Sequence, residues 1–124
     1  MLRPSFALWI VPALLAACGL GEKETETPPA PRAVLQRGQQ LLAQYQCGSC
    51  HAIPGVASAG GQVTSSLAGF GRRSYIAGRL ANRPDLLAQW IVQPQALVPG
   101  TLMPAMGVAP ADAQAMAAYL LHLQ

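Results

Sequence analysis

Apolar and polar positions divide the chain into stretches of different character. Phe6 to Ala17 is an apolar run of 12 residues behind a single positive charge, Arg3. Residues 19–31, GLGEKETETPPAP, show no apolar periodicity at all. From there the pattern turns helical. Val34, Leu35, Gly38, Leu41, Leu42 and Tyr45 recur at helical spacing and predict an amphipathic helix over about 32–46. Gly38 costs that helix roughly 1 kcal/mol against alanine; on an apolar face it marks close approach by another backbone. Asn82-Arg83-Pro84-Asp85 reads as a second helix start, with an Asn cap, a proline in the first turn and an acid at N3. Leu86, Leu87, Trp90 and Ile91 form its stripe, and Pro94 closes it near Gln93. Pro110 opens a third helix that runs to about Leu123. Ala113, Met116, Ala117, Leu120 and Leu123 lie on one face, with Tyr119 beside it. No internal repeat or β-alternation stands out. The stretches 52–81 and 94–109 are long for connections in a compact domain, so something internal must organise them. The expected fold class is all-α, with three or more helices in one small domain.

Composition sharpens this picture. The chain has 124 residues, 52% hydrophobic and 10% charged, against a usual charged share of about 25%. Aromatics are 6%, so much of the apolar count is alanine, which buries little area. A core of this size is marginal and often needs a staple. Intrinsic disorder is disfavoured, since it requires low hydrophobicity and high net charge. A nucleic-acid partner is disfavoured too, because the formal charge of +3 rests on few groups and Lys23 is the sole lysine. The charge is also divided. Residues 32–124 carry six arginines (Arg32, Arg37, Arg72, Arg73, Arg79 and Arg83) against Asp85 and Asp112. Residues 19–31 hold Glu22, Glu24 and Glu26 against Lys23.

The first segment reads as an export signal over residues 1–17, too short to span a bilayer core of about 30 Å. It ends in Leu15-Ala16-Ala17-Cys18, which resembles a bacterial lipobox and marks Cys18 for lipidation. Ordinary cleavage near Ala17 is the plainer alternative. Residues 18–32 then form the lipidated cysteine and a solvated, Pro/Glu-rich tether reaching on the order of 40 Å. The folded domain occupies 33–124. The expected location is the periplasmic side of a bacterial membrane, lipid-anchored.

Cys47-Gly48-Ser49-Cys50-His51 is C-x-x-C-H, placed where the first helix ends. Two thiols three positions apart reach both vinyl groups along one haem edge, and the adjacent imidazole lies below the iron as proximal ligand. A thioredoxin-like redox pair would sit in a βαβ pattern, which is absent. Zinc needs four ligands, and only His122 and the acids remain to complete a set. A plain disulfide leaves His51 unexplained. One covalent haem c through Cys47 and Cys50 is therefore the expected cofactor. For the sixth ligand, Met103 lies in the proline-bracketed loop Pro99-Gly100-Thr101-Leu102-Met103-Pro104, where a rigid strap can present a thioether. Met106 is its rival. Met116 lies on the third helix's stripe and reads as core filler, and His122 falls off that stripe and reads as solvated.

RGQQLLAQYQCGSCH, LAGFGRRSYIAGRLANRPDLLAQWIVQPQALVPGTLMP and AMAAYLLHL together resemble a class I cytochrome c. The chain is most similar to the small cytochrome c domains fused to subunit II of caa3-type oxidases. The order helix, C-x-x-C-H, W-I-x-x-P-x-x-x-x-P-G-T-x-M-P and Y-L helix is far more specific than C-x-x-C-H alone. The resemblance implies that Gly38 and Tyr119 lie where the first and last helices cross and that Trp90 lines the haem on the methionine side. It also implies that Arg72 meets a propionate, with Tyr75 a second candidate for that role; a solvated basic loop is the plainer reading of Arg72 and Arg73.

Two departures stand out. Thr64-Ser65-Ser66-Leu67 replaces the family's Gly-Pro-Asp-Leu, whose proline carbonyl accepts the proximal imidazole N–H; a serine carbonyl can do the same from a less rigid loop. The lysine ring of soluble carriers is replaced by Gln95, Ala96, Leu97, Val98 and Leu102, so docking should be largely apolar, with Arg73, Arg79 or Arg83 at the rim. The function implied is a membrane-tethered electron carrier rather than an enzyme, with an upstream donor and a terminal oxidase as redox partners. A cytochrome partner of a periplasmic dehydrogenase is the alternative. A ligand sensor or peroxidase becomes the reading if Met103 leaves the sixth site open.

Overall fold

A computed structural model describes residues 28–124. The export signal, Cys18 and most of the tether lie outside the described residues. The first helix, α1 (Arg32–Gln44), buries Gly38, Leu41 and Leu42. It starts behind Pro31, whose carbonyl accepts from Val34 N–H at 2.9 Å. Gln46 adopts a left-handed conformation (φ 56°) at its far end and turns the chain into a short 3-10 turn, Cys47–Ser49.

The long stretch after His51 has its own internal structure. Ala52 bridges Gly60, and a second 3-10 turn spans Phe70–Arg72. A two-stranded antiparallel hairpin follows, β1 (Tyr75–Ile76) with β2 (Leu80–Ala81), in the register Tyr75↔Ala81 and Ile76↔Leu80. Its turn places Ala77 and Gly78 at positive φ, and Arg79 N–H closes onto the Ile76 carbonyl at 3.0 Å. The sequence pattern did not predict this hairpin. Two-residue strands are too short to alternate, and Ala-Gly is a weak turn signal.

Helix α2 (Pro84–Val92) buries Leu87, Trp90 and Ile91. Its start corrects the expected Asn cap by one position. Arg83 is the capping residue, Pro84 opens the first turn, and no side chain caps the helix. Asn82 is engaged elsewhere: its Nδ2 donates to the carbonyls of Phe70 and Arg73 at 3.0 and 2.9 Å. The Phe70 carbonyl also accepts from Arg73 N–H at 3.1 Å; the half-buried amide adds a second bond there and gives the Arg73 carbonyl its partner. Pro94 breaks the chain and restarts it as α3 (Pro94–Leu97), a four-residue turn that helical periodicity could not reveal.

The last helix, α4 (Pro110–His122), packs against α1, α2 and the second 3-10 turn. It buries Ala113, Ala115, Met116, Ala117, Tyr119 and Leu120, a wider face than the predicted stripe. At its crossing with α1 the backbones nearly touch. A Cβ added to Gly38 would stand 2.1 Å from the Ala115 carbonyl oxygen and 2.9 Å from Tyr119 Cβ. Asp112, in the first turn of α4, ties the same pair of helices: Arg37 donates to one carboxylate oxygen at 2.6 Å and Tyr45 to the other at 3.0 Å. The domain is mostly helical with one small sheet, as expected of a small cytochrome c fold. No helix among the described residues is long and apolar enough to cross a membrane.

Candidate functional site

The 3-10 turn carries the C-x-x-C-H motif as one rigid unit. Cys50 and His51 both donate their backbone N–H to the Cys47 carbonyl, at 3.3 and 3.1 Å. Gly61 N–H bonds the Gly48 carbonyl at 3.0 Å, and Thr64 N–H bonds that of Cys50 at 3.2 Å. The stretch 61–64 is thereby laid along the motif. Neither thiol forms a disulfide among the described residues.

Burial, the largest cause, pushes the Cys47 thiol above its ordinary value, with the neighbouring Cys50 adding to it against a backbone hydrogen bond. A redox-active C-x-x-C depends on the opposite shift, toward thiolate. A structural zinc site requires four converging ligands; among the described residues no three His, Cys, Asp or Glu side chains converge on such a point.

His51 Nδ1 lies 3.0 Å from the Ser65 carbonyl oxygen. A carbonyl only accepts, so Nδ1 carries the proton and Nε2 keeps its lone pair. This is the tautomer a metal-binding imidazole needs, held by the kind of outer partner such residues use. The serine that replaces the expected proline thus supplies the carbonyl.

Met103 is held in a strap of its own. Gln95 Nε2 donates to the Met103 carbonyl at 2.8 Å, and Met103 N–H bonds Thr101 Oγ1 at 3.3 Å. The residue is half-buried and packs against the core, whereas Met106 is 43% exposed. Sequence reasoning did not assign Gln95 and Thr101 this supporting role. The threonine of Pro-Gly-Thr was the available signal, since a hydroxyl two residues ahead can reach a backbone N–H. Met116 is fully buried in α4, and His122 is exposed.

Trp90 is buried in the core on α2. Arg72 and Tyr75 stand exposed on the segment that follows Phe70, and Arg72 makes no side-chain hydrogen bond among the described residues. The other arginines divide. Arg73 turns inward and donates to the carbonyls of Ser66 and Ala68, which removes it from the expected solvated loop and docking rim. Arg83 pairs with Asp85 at 2.5 Å, and Arg79 stays exposed. Val63, Leu102 and Met106 are exposed on the loops that carry Ser65 and Met103. Two thiols without a disulfide partner among the described residues, an oriented imidazole and a strapped thioether, with exposed apolar side chains on the loops that carry Ser65 and Met103, suit a large, flat, apolar iron-bearing group.

The Cytochrome c family model matches residues 35–124. A curated relative, cytochrome c oxidase subunit 2 of Alkalihalophilus pseudofirmus, is 36% identical over 104 residues, 83% of this chain and 28% of that protein. The chain therefore spans little more than a quarter of that relative's length. No solved structure matches the chain significantly. The chain belongs to the cytochrome c family, related to the cytochrome c part of oxidase subunit II, and is an electron-carrying cytochrome. It binds haem c covalently, and the thiols that serve this are Cys47 and Cys50.

Proposed function

We propose that this cytochrome is a single-electron carrier, not an enzyme, tethered through lipidated Cys18 to the periplasmic side of a bacterial membrane, and that it delivers electrons to a terminal oxidase. His51 and Met103 are the axial ligands. Trp90 lines the methionine side, and Arg72, with Tyr75, faces a propionate, where a guanidinium offsets a carboxylate charge. The haem supplies iron that gains and loses one electron without bond making. The chain's part is to hold two ligands still and keep the site dry.

The observation that carries the electron-transfer reading is the strap at Met103. A thioether whose backbone is bonded on both sides by Gln95 and Thr101 is preorganised to stay on iron in both oxidation states. A bound methionine closes the sixth site to exogenous ligands. Oxidase as acceptor is supported by the subunit 2 relative alone.

The test is the ferric absorption spectrum. The wild-type protein should show the long-wavelength iron–thioether charge-transfer band, and Met103→Ala should lose it. Ready CO binding by the wild-type ferrous protein, with no such band, would place the chain among ligand sensors or peroxidases. Intact mass of the mature protein checks the anchor: a diacylglyceryl-sized increment on Cys18 is expected, and an unmodified Cys18 removes the tether.

A further inference from the structure

The carbonyl that orients His51 belongs to a loop with no proline to stiffen it. Thr64-Ser65-Ser66-Leu67 has ordinary backbone freedom, and an unrestrained peptide there would let the Ser65 oxygen swing away from the imidazole. The peptide unit immediately after it is held at both ends. Its N–H, from Leu67, donates to the Ala52 carbonyl at 2.8 Å. Its oxygen, from Ser66, accepts from the Arg73 guanidinium.

Arg73 is itself fixed. The same nitrogen reaches the Ala68 carbonyl at 3.3 Å, and the guanidinium carbon lies 5.2 Å from the centroid of the buried Phe70 ring. Stacking on an aromatic face leaves the planar fork aimed along its edge. The Ser66 hydroxyl adds a bond to the Ala52 carbonyl at 3.3 Å. With the Ser66–Leu67 peptide fixed and Thr64 bonded to Cys50, only a few torsions separate the Ser65 oxygen from fixed points on either side.

We propose that Arg73 is a positioning residue for the His51 imidazole, holding the Ser65 carbonyl against Nδ1 from the far side of the loop. The inference rests on His51 as the axial ligand. Arg73 acts without touching the imidazole, through one peptide unit. Its neighbour Arg72, one residue earlier and exposed, has no such grip on the loop.

The test is hydrogen exchange of the His51 Nδ1–H, followed by NMR in the ferric and ferrous holoprotein. Arg73→Ala should speed that exchange by about tenfold, the effect of losing roughly one charge-assisted hydrogen bond. Backbone amides of α1 and α4 should keep their wild-type rates, which separates positioning from general destabilisation. Arg73→Lys keeps the charge and loses the fork, so it should show an intermediate rate. Ser65→Pro fixes the loop by another route and takes no N–H from any backbone bond among the described residues; added to Arg73→Ala, it should slow the exchange again. If Arg73→Ala does not accumulate as holoprotein, Arg73→Lys is read by the same criterion. An unchanged Nδ1–H rate with His51 signals still in the ligand region overturns the proposal. Absence of His51 signals from that region in the wild-type protein overturns instead the ligand assignment beneath it.

Discussion

The Tyr119 hydroxyl, on α4, donates to the carbonyl of Pro54 at 2.8 Å. One side chain of the last helix thus holds the loop that begins three residues after His51. Gln39 of α1 reaches the next carbonyl, that of Gly55. The crossing of the two helices and the loop leaving the C-x-x-C-H motif are therefore parts of one arrangement.

Tyr119→Phe keeps the ring and deletes the donor. The expected loss is about 1 kcal/mol of unfolding free energy, the net value of one hydrogen bond. Haem attachment should be unchanged. Burial also raises the Tyr119 phenol above its ordinary value of 10.0. The folded state therefore prefers the protonated phenol, and stability should fall as pH climbs past the unfolded value. In Tyr119→Phe that alkaline decline should be shallower; chemical unfolding across alkaline pH checks both points.

Gly38→Ala sets two effects against each other. Alanine is the better helix former by about 1 kcal/mol. Its methyl, however, meets the Ala115 carbonyl and Tyr119 Cβ, which are backbone and near-backbone atoms that cannot swing away. Overpacking of that kind costs about 1–3 kcal/mol. The helices must separate at their crossing, so net destabilisation is expected in denaturant titrations of the holoprotein. A more stable Gly38→Ala protein would show that the crossing yields.

The Arg37–Asp112–Tyr45 link predicts an acid limb. The Arg37 hydrogen bond, with Tyr45 second, holds the Asp112 carboxyl below its usual 3.8. A depressed folded value contributes stability above the unfolded value and loses it as pH falls through the folded one. Asp112→Asn should flatten the stability profile below about pH 4. Because Arg37 is exposed, the contribution should also shrink as salt rises. Unfolding midpoints against pH, with and without added salt, measure it.

Docking should depend on Leu102, which is 97% exposed one residue before Met103. With Arg73 turned inward and Arg83 paired to Asp85, Arg79 alone of the three expected rim arginines stays exposed without an ion pair among the described residues. Oxidation by the physiological acceptor should therefore fall only mildly with ionic strength. Leu102→Glu should slow it by about tenfold while leaving the absorption spectrum unaltered, as expected where a central apolar contact carries the interface. A steep salt dependence with little effect of Leu102→Glu would point to an electrostatic face.

Local spacing sufficed for everything written within a few residues. Cys47, Cys50 and His51 stand out because the whole C-x-x-C-H spacing lies within five adjacent positions. The three main helices follow from apolar stripes and the prolines that open or close them, and Gly38 on the first stripe marks a close approach without specifying its partner. The rest depended on groups distant in sequence. His51 meets Ser65 fourteen residues on, Tyr119 meets Pro54 sixty-five residues back, and Asn82 leaves its expected cap to satisfy Phe70 and Arg73. A backbone carbonyl looks the same in every residue, so no pattern of side chains shows which one will accept. The tertiary fold brings those carbonyls within reach, and only then does one arginine differ in role from the arginine beside it.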